Sequence, residues 1–219
     1  MSSAEFLSWV RGPMFDIALV IFVIGILVRL LEIYLLGRKP DLAAARRDGI
    51  ADGFKTVGRR FLFNLDMIKR NPVTVLAGYV FHIGLLVAIF LLAPHIEVFR
   101  ALFGFGWPAL PTPIVDFLTA LAIIALLVLL WHRLTDPVKR LLSTGEDYLV
   151  WALTLIPLLT GYLAYHHLFF NYTAMLGLHI LSVELLLIVF PFTKLSHAFT
   201  LFISRWYTGM MAGRKGVEI

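Results

Sequence analysis

The sequence predicts an all-α integral membrane bundle of five transmembrane helices, and three features carry that prediction. The chain is 60% apolar and only 15% charged, far from the balance of a soluble globular protein. Its apolar runs recur along the whole length, each near the roughly 20 residues that a helix needs to cross a bilayer. Its lysines and arginines alternate between loops, dense in one and sparse in the next. No polar stretch is long enough for a second soluble domain, so residues 1–219 are read as one membrane domain.

The first span is expected at residues 15–36. Arg11 precedes it and no small-residue cleavage pattern follows, so it reads as a span rather than a leader. The second, at 73–93, follows the breaker Asn71-Pro72, and the third, at 114–131, follows Pro108, Pro111 and Pro113. The fourth and fifth occupy 149–168 and 172–195. Hydrocarbon offers no partner to a bare peptide group, so such segments are helices. The loop at 37–72 holds nine lysines and arginines, the next only Arg100, and the third Arg133, Lys139 and Arg140. The fourth has none, and the tail has Lys194, Arg205, Arg214 and Lys215. The positive-inside rule then places the N-terminus outside and the C-terminus in the cytoplasm, across the cytoplasmic (inner) membrane. A formal charge of +5 is therefore a topology signal, not a sign of nucleic acid. In the basic loop Phe54, Val57, Phe61, Phe63, Leu65 and Ile68 sit among the charges. This is an amphipathic pattern suited to the membrane surface, to a cytoplasmic partner, or to a solvated helix beside headgroups.

There is no cysteine, which excludes disulfides, thiolate metal sites, iron–sulfur clusters and c-type haem attachment within this chain. There are seven histidines, and histidine inside a membrane is costly enough to be functional by default. His179 and His197 are 18 residues apart, five whole turns, so on a straight helix they share a stripe and stand roughly 27 Å apart. His82 and His95 play the same parts on the second span. Matching depths pairs His82 with His197 and His95 with His179: two bis-histidine b haems, one per leaflet. His95 is about 140° off the face of His82 on an ideal helix, an offset that Pro94 is able to rotate back. His166 and His167 are the fallback ligands for the outer haem. His132, beside Arg133, reads as an interfacial cap. No HExxH pattern occurs, so a zinc site is the weaker reading.

Span two carries Phe81-His82-Ile83-Gly84. Span five carries Leu178-His179-Ile180 and then Phe190-Pro191-Phe192-Thr193-Lys194-Leu195-Ser196-His197. Arg133-Leu134-Thr135-Asp136-Pro137-Val138-Lys139 and Thr144-Gly145-Glu146-Asp147 lie between spans three and four. Over roughly residues 10–210 these resemble the gamma subunit of respiratory nitrate reductase and its relatives, the cytochrome b subunits of heterodisulfide-reductase-like and sulfite-reductase-associated membrane complexes. The resemblance implies a five-helix di-haem cytochrome b, with His82 and His197 on the inner haem and His179 on the outer one. The nitrate reductase form takes its other outer ligand at a position that is Leu92 here. That departure, and the longer basic loop, favour the relatives, with His95 as the replacement ligand.

The reaction so implied passes electrons between quinone or quinol and a cytoplasmic iron–sulfur or heterodisulfide-reductase-like subunit, with substrate catalysis in partner subunits. Glu97 and His166, with Asp116 and His167, are candidate proton acceptors for quinol. The aromatic segment 103–107 is either a pocket wall or an interfacial belt. Glu184, mid-span, is protonated, hydrogen-bonded or on a proton path, with the protonated structural role favoured. Arg29, near Glu32, either snorkels or pairs with a propionate of the inner haem. The competing reading from another class is a non-redox membrane scaffold or a transporter subunit. Within the redox class, the formate dehydrogenase and hydrogenase cytochromes b are the nearest alternative.

Overall fold

The computed structural model describes residues 1–36, 44–62 and 64–217, so Arg38, Lys39 and Phe63 of the basic loop lie outside the described residues. Among these residues the secondary structure is helical, with no strand. Five stretches are long and apolar enough to cross a membrane: Ser3–Leu35, Pro72–Leu91, Thr112–Thr135, Gly145–Tyr165 and Tyr172–Phe192. The protein is a multi-pass membrane protein. The α-helices, in order, are α1 (Ser3–Trp9), α2 (Phe15–Leu35), α3 (Ile50–Arg59), α4 (Leu65–Arg70), α5 (Pro72–Leu91) and α6 (Ala93–Phe103). Then come α7 (Thr112–Thr135), α8 (Pro137–Leu142), α9 (Gly145–Tyr165), α10 (Tyr172–Val189) and α11 (His197–Arg214).

The first span starts twelve residues before the apolar run does. A capping box nucleates α1: the Glu5 amide donates to Ser2 Oγ at 3.2 Å, and the Ser2 amide donates to Glu5 Oε2 at 2.6 Å. Gly12 leaves helical geometry at φ −109°, ψ −105°, and Pro13 lacks an amide hydrogen, so a wide turn over Val10–Met14 joins α1 to α2.

Two compact units emerge. One comprises Met1–Ala18 and Met67–Leu186. Its core is the α5–α7 contact, where Phe81, Ala88, Val115, Ala122, Ala125 and Leu126 are buried together with Leu158 of α9. Small residues set the spacing. A Cβ on Gly84 would lie 2.5 Å from the Leu118 carbonyl oxygen and 2.8 Å from Ala122 Cβ, so the two backbones touch only because residue 84 has no side chain. Gly177 of α10 gives Phe6 of α1 a seat in the same way. Polar side chains inside this unit return their hydrogens to the backbone. Thr119 donates to Val115 O at 2.8 Å, Thr154 to Val150 O at 2.7 Å, and the Trp151 indole to Leu126 O at 2.8 Å. Ile83, Leu86, Ile124 and Leu127 are exposed, as side chains facing lipid should be.

The other unit comprises Leu19–Asp66 and Leu187–Ile219. Here the sequence expectation of one straight helix from His179 to His197 is corrected. Pro191 ends α10 at Val189, two short 3₁₀ turns follow at Phe190–Phe192 and Lys194–Ser196, and His197 opens a new helix. The five-turn phase relation between the two histidines therefore does not apply. Pro191 packs on Gly25 of α2, and the Phe22 ring meets Phe190 edge-on at 5.5 Å. The amphipathic loop helix α3 lies against α11. Gly53 makes room for Trp206, Gly209 for Thr56, and Gly213 for Asp52. Arg47 stitches the pair, donating to Asp52 Oδ1 at 2.9 Å and to Gly213 O at 3.1 Å.

Gly84→Val should therefore lower stability by about 1–3 kcal/mol through overpacking. Gly58→Ala, in open space on α3, should not, because alanine favours the helix. Thermal unfolding followed by circular dichroism in detergent compares the two.

Candidate functional site

Pro94 builds the site. Leu92 turns to extended geometry (φ −83°, ψ 129°) and α6 starts afresh with Pro94 in its first turn. The last turn of α5 thus has carbonyls without helical partners. The Leu110 amide donates to Leu91 O at 3.0 Å, and the Trp107 indole donates to Phe90 O at 2.5 Å. His95 reaches back one further residue pair: its Nδ1–H donates to Ala88 O at 2.6 Å. A carbonyl only accepts, so this bond fixes the tautomer and puts the lone pair on Nε2. Burial pushes the His95 imidazole below its usual pKa, while the Ala88 and Ile89 carbonyls pull the other way. The neutral, ligating form prevails at pH 7.

His179 on α10 is arranged alike. Its Nδ1–H donates to Pro157 O on α9 at 3.1 Å, with Thr160 Oγ1 at 3.4 Å. Thr160 meets Ser182 Oγ at 3.1 Å, and Ser182 donates to His179 O at 2.6 Å, so a small polar network locks the ring. Gly161 leaves the ring its room: a Cβ there would sit 3.0 Å from His179 Cε1 and 3.2 Å from Nδ1. The structure brings His95 and His179 together, with ring centroids 6.0 Å apart and planes 15° from parallel.

Both rings line a cavity of about 460 Å³ enclosed by α5, α7, α9 and α10. Ligand pockets typically span about 300–1,000 Å³. Leu85, Ala88, Ile89, Leu158, Val183 and Leu186 line its apolar part, while Asp116, Tyr162, Tyr165, His167 and Tyr172 supply polar groups.

The other sequence candidates fall out as follows. His82 donates Nδ1–H to Gly78 O at 2.7 Å within α5, and His197 donates Nδ1–H to Lys194 O at 2.7 Å. They belong to different compact units. His166 is turned the other way: Nε2–H donates to Asp116 Oδ1 at 2.9 Å, which engages the nitrogen that a metal would take. His132 likewise directs Nε2 to Asn71 Oδ1, at 3.4 Å. His167 stacks obliquely near Tyr172 and sits at φ 54°, in a strained turn beside the cavity. Glu97 is ion-paired with Arg100 at 2.8 Å and is not among the cavity's lining residues. Arg29 pairs with Glu32 at 3.1 Å, both exposed. Glu184 is fully enclosed, and among the described residues neither carboxyl oxygen has a hydrogen-bond partner. Phe103 stacks on Phe99, Trp107 packs tilted against Phe99, and the Trp107 indole caps α5. No cluster of three or more His, Asp or Glu placed to hold a bare metal ion occurs among the described residues.

A haem is compatible with the pair found. His95 and His179 each keep Nδ1 on a carbonyl and would offer Nε2 to its iron, while the apolar lining would take its macrocycle. Sequence reasoning missed Gly161, Thr160, Ser182 and the Ala88 carbonyl. The only trace was the proline–glycine spacing of Pro157 and Gly161, one turn apart on a span otherwise rich in leucine.

No protein-family model matches the chain, and no solved structure matches it. A protein of Nitratidesulfovibrio vulgaris strain Hildenborough, named only "Protein", is 35% identical over 212 residues, 93% of this chain and 92% of the relative. Chains that align end to end at this level share ancestry and fold, and this chain belongs to the family of that N. vulgaris protein.

Proposed function

We propose that the chain is a b-type cytochrome subunit of a membrane complex, resembling the nitrate reductase gamma subunit and its heterodisulfide-reductase-like relatives. It would bind two b haems and pass electrons between the quinone pool and a cytoplasmic iron–sulfur partner. The observation that carries the reading is the His95–His179 pair: near-parallel rings 6.0 Å apart across a cavity, each with Nδ1 tied to a carbonyl. Second-shell carbonyls of this kind orient ligating imidazoles and raise their basicity. His82 and His197 share that tautomer and are the ligands assigned to the inner haem. Bound haem would supply one-electron carriage, which none of the chain's own side chains does.

The alternating loop charges support an N-terminus outside and a C-terminus in the cytoplasm, across the inner membrane. The His95–His179 cavity then lies toward the outer face, where quinol would be oxidised. Its proton acceptor is His166, the better placed of the two candidates, since Glu97 is bound to Arg100. Asp116 accepts from Nε2–H and so leaves the basic lone pair on Nδ1; it orients His166 and stabilises the imidazolium that forms.

Four measurements test this. Purified protein made with adequate haem supply should show a Soret band and a bis-imidazole b-type spectrum, with two haems per chain. His95→Ala and His179→Ala should each remove the same haem, and His82→Ala and His197→Ala the other; a colourless, natively helical preparation would point instead to a scaffold or transporter subunit. Gly161→Val should reproduce the His179→Ala spectrum, because its branched side chain claims the space of the imidazole. Asp116→Asn should leave haem content unchanged and slow quinol-dependent haem reduction by about tenfold or more.

A further inference from the structure

The α3–α11 pair contributes nothing to the histidine sites beyond His197, yet it concentrates the chain's charge. Residues 44–62 and 197–217 hold eight lysines and arginines against two aspartates, an excess larger than the +5 of the whole chain. Around α3 the residues fall into three faces. Gly53, Thr56 and Asp52 meet α11. Ile50 and Phe54 are exposed, Phe54 to 67%. Lys55 and Arg59 point to a third side, where they line a cavity of about 100 Å³ with Arg47, Asp52, Thr56, Gly209 and Val217. That is room for roughly three waters, the scale of a phosphate group rather than of a folded peptide. Arg47 is already engaged by Asp52 and Gly213 O, whereas Lys55 and Arg59 form no ion pair among the described residues. Leu62 and Phe202 add further exposed apolar surface from the same segments.

We propose that the cavity between α3 and α11, with Lys55 and Arg59 at its rim, binds the phosphate headgroup of an anionic phospholipid while Ile50 and Phe54 enter the acyl region. Three points favour a lipid over an acidic protein. A span ends at Phe192, five residues before α11 begins at His197, so the pair is tethered at bilayer level. A helix with one apolar exposed face and one cationic face suits an interface between acyl chains and headgroups. Basic pockets beside spans take anionic headgroups. This inference needs only the membrane spans and stands apart from the haem reading.

The test uses the full chain in mixed micelles of phosphatidylglycerol and phosphatidylcholine, with retained lipid counted by mass spectrometry after washing. Wild type should retain phosphatidylglycerol in preference to phosphatidylcholine, and excess inorganic phosphate should not displace it. Lys55→Gln with Arg59→Gln should lower that retention by about tenfold or more, since each cation near a surface contributes about an order of magnitude or slightly less. Lys55→Arg with Arg59→Lys, which keeps the charge, should retain it. Unchanged circular dichroism shows that both variants are folded, as expected for two exposed positions off the α11 contact. Equal retention of both lipids, or no effect of the glutamine pair, overturns the proposal. So does displacement by inorganic phosphate, which would mark a free-anion site. Binding of polyglutamate without phosphatidylglycerol would mark an acidic-protein surface and overturn it too.

Discussion

The carbonyls left over where α5 stops organise the cavity-bearing unit. In hydrocarbon a backbone oxygen without a donor costs several kcal/mol, so a span interrupted by Pro94 needs donors from elsewhere. Leu110, Trp107 and His95 supply them, at Leu91, Phe90 and Ala88 respectively. The first two fold the 104–111 segment back over the end of α5. The third fixes the azimuth and tautomer of an imidazole that an unbroken helix would have carried about 140° from the face of His82. One proline thus closes a loop, satisfies a helix end and aims an imidazole.

The same logic separates the histidines into two chemical kinds. His82, His95, His179 and His197 all give Nδ1–H to a carbonyl, which makes Nε2 the basic nitrogen. His132 and His166 commit Nε2 to side-chain oxygens of Asn71 and Asp116. A hydrogen bond at one ring nitrogen decides which nitrogen stays basic. On His166 that is Nδ1, since Nε2–H is held by Asp116 at 2.9 Å.

Five spans were legible because length and hydropathy are properties of single segments. Their ends were less so. The capping box of Ser2 and Glu5 extends the first span beyond its apolar run, and Pro191 breaks the fifth before His197. Pro191 is visible in sequence, and a proline outweighs an 18-residue periodicity, so residues 179–197 do not form one straight helix. Contacts between segments were invisible. That Gly161 is spaced for an imidazole, or that α3 finds α11 rather than only the membrane surface, depends on which helices become neighbours. The glycines at 209 and 213, one turn apart on an otherwise bulky helix, were the sequence trace of that second contact.

The cavity's chemistry is graded along the span direction. Leu85, Val183 and Leu186 come from the interiors of α5 and α10, whereas Asp116, Tyr162, Tyr165, His167 and Tyr172 come from the ends of α7, α9 and α10 that meet at one side. A guest filling this space needs an apolar body and polar groups at one edge. A porphyrin with paired carboxylates has that shape, and so does the head of a quinone with its tail in lipid. The two guests differ in what they would engage: a porphyrin would take both imidazole Nε2 atoms, whereas a quinol would need the polar rim, near which Asp116 accepts from His166 Nε2–H at 2.9 Å.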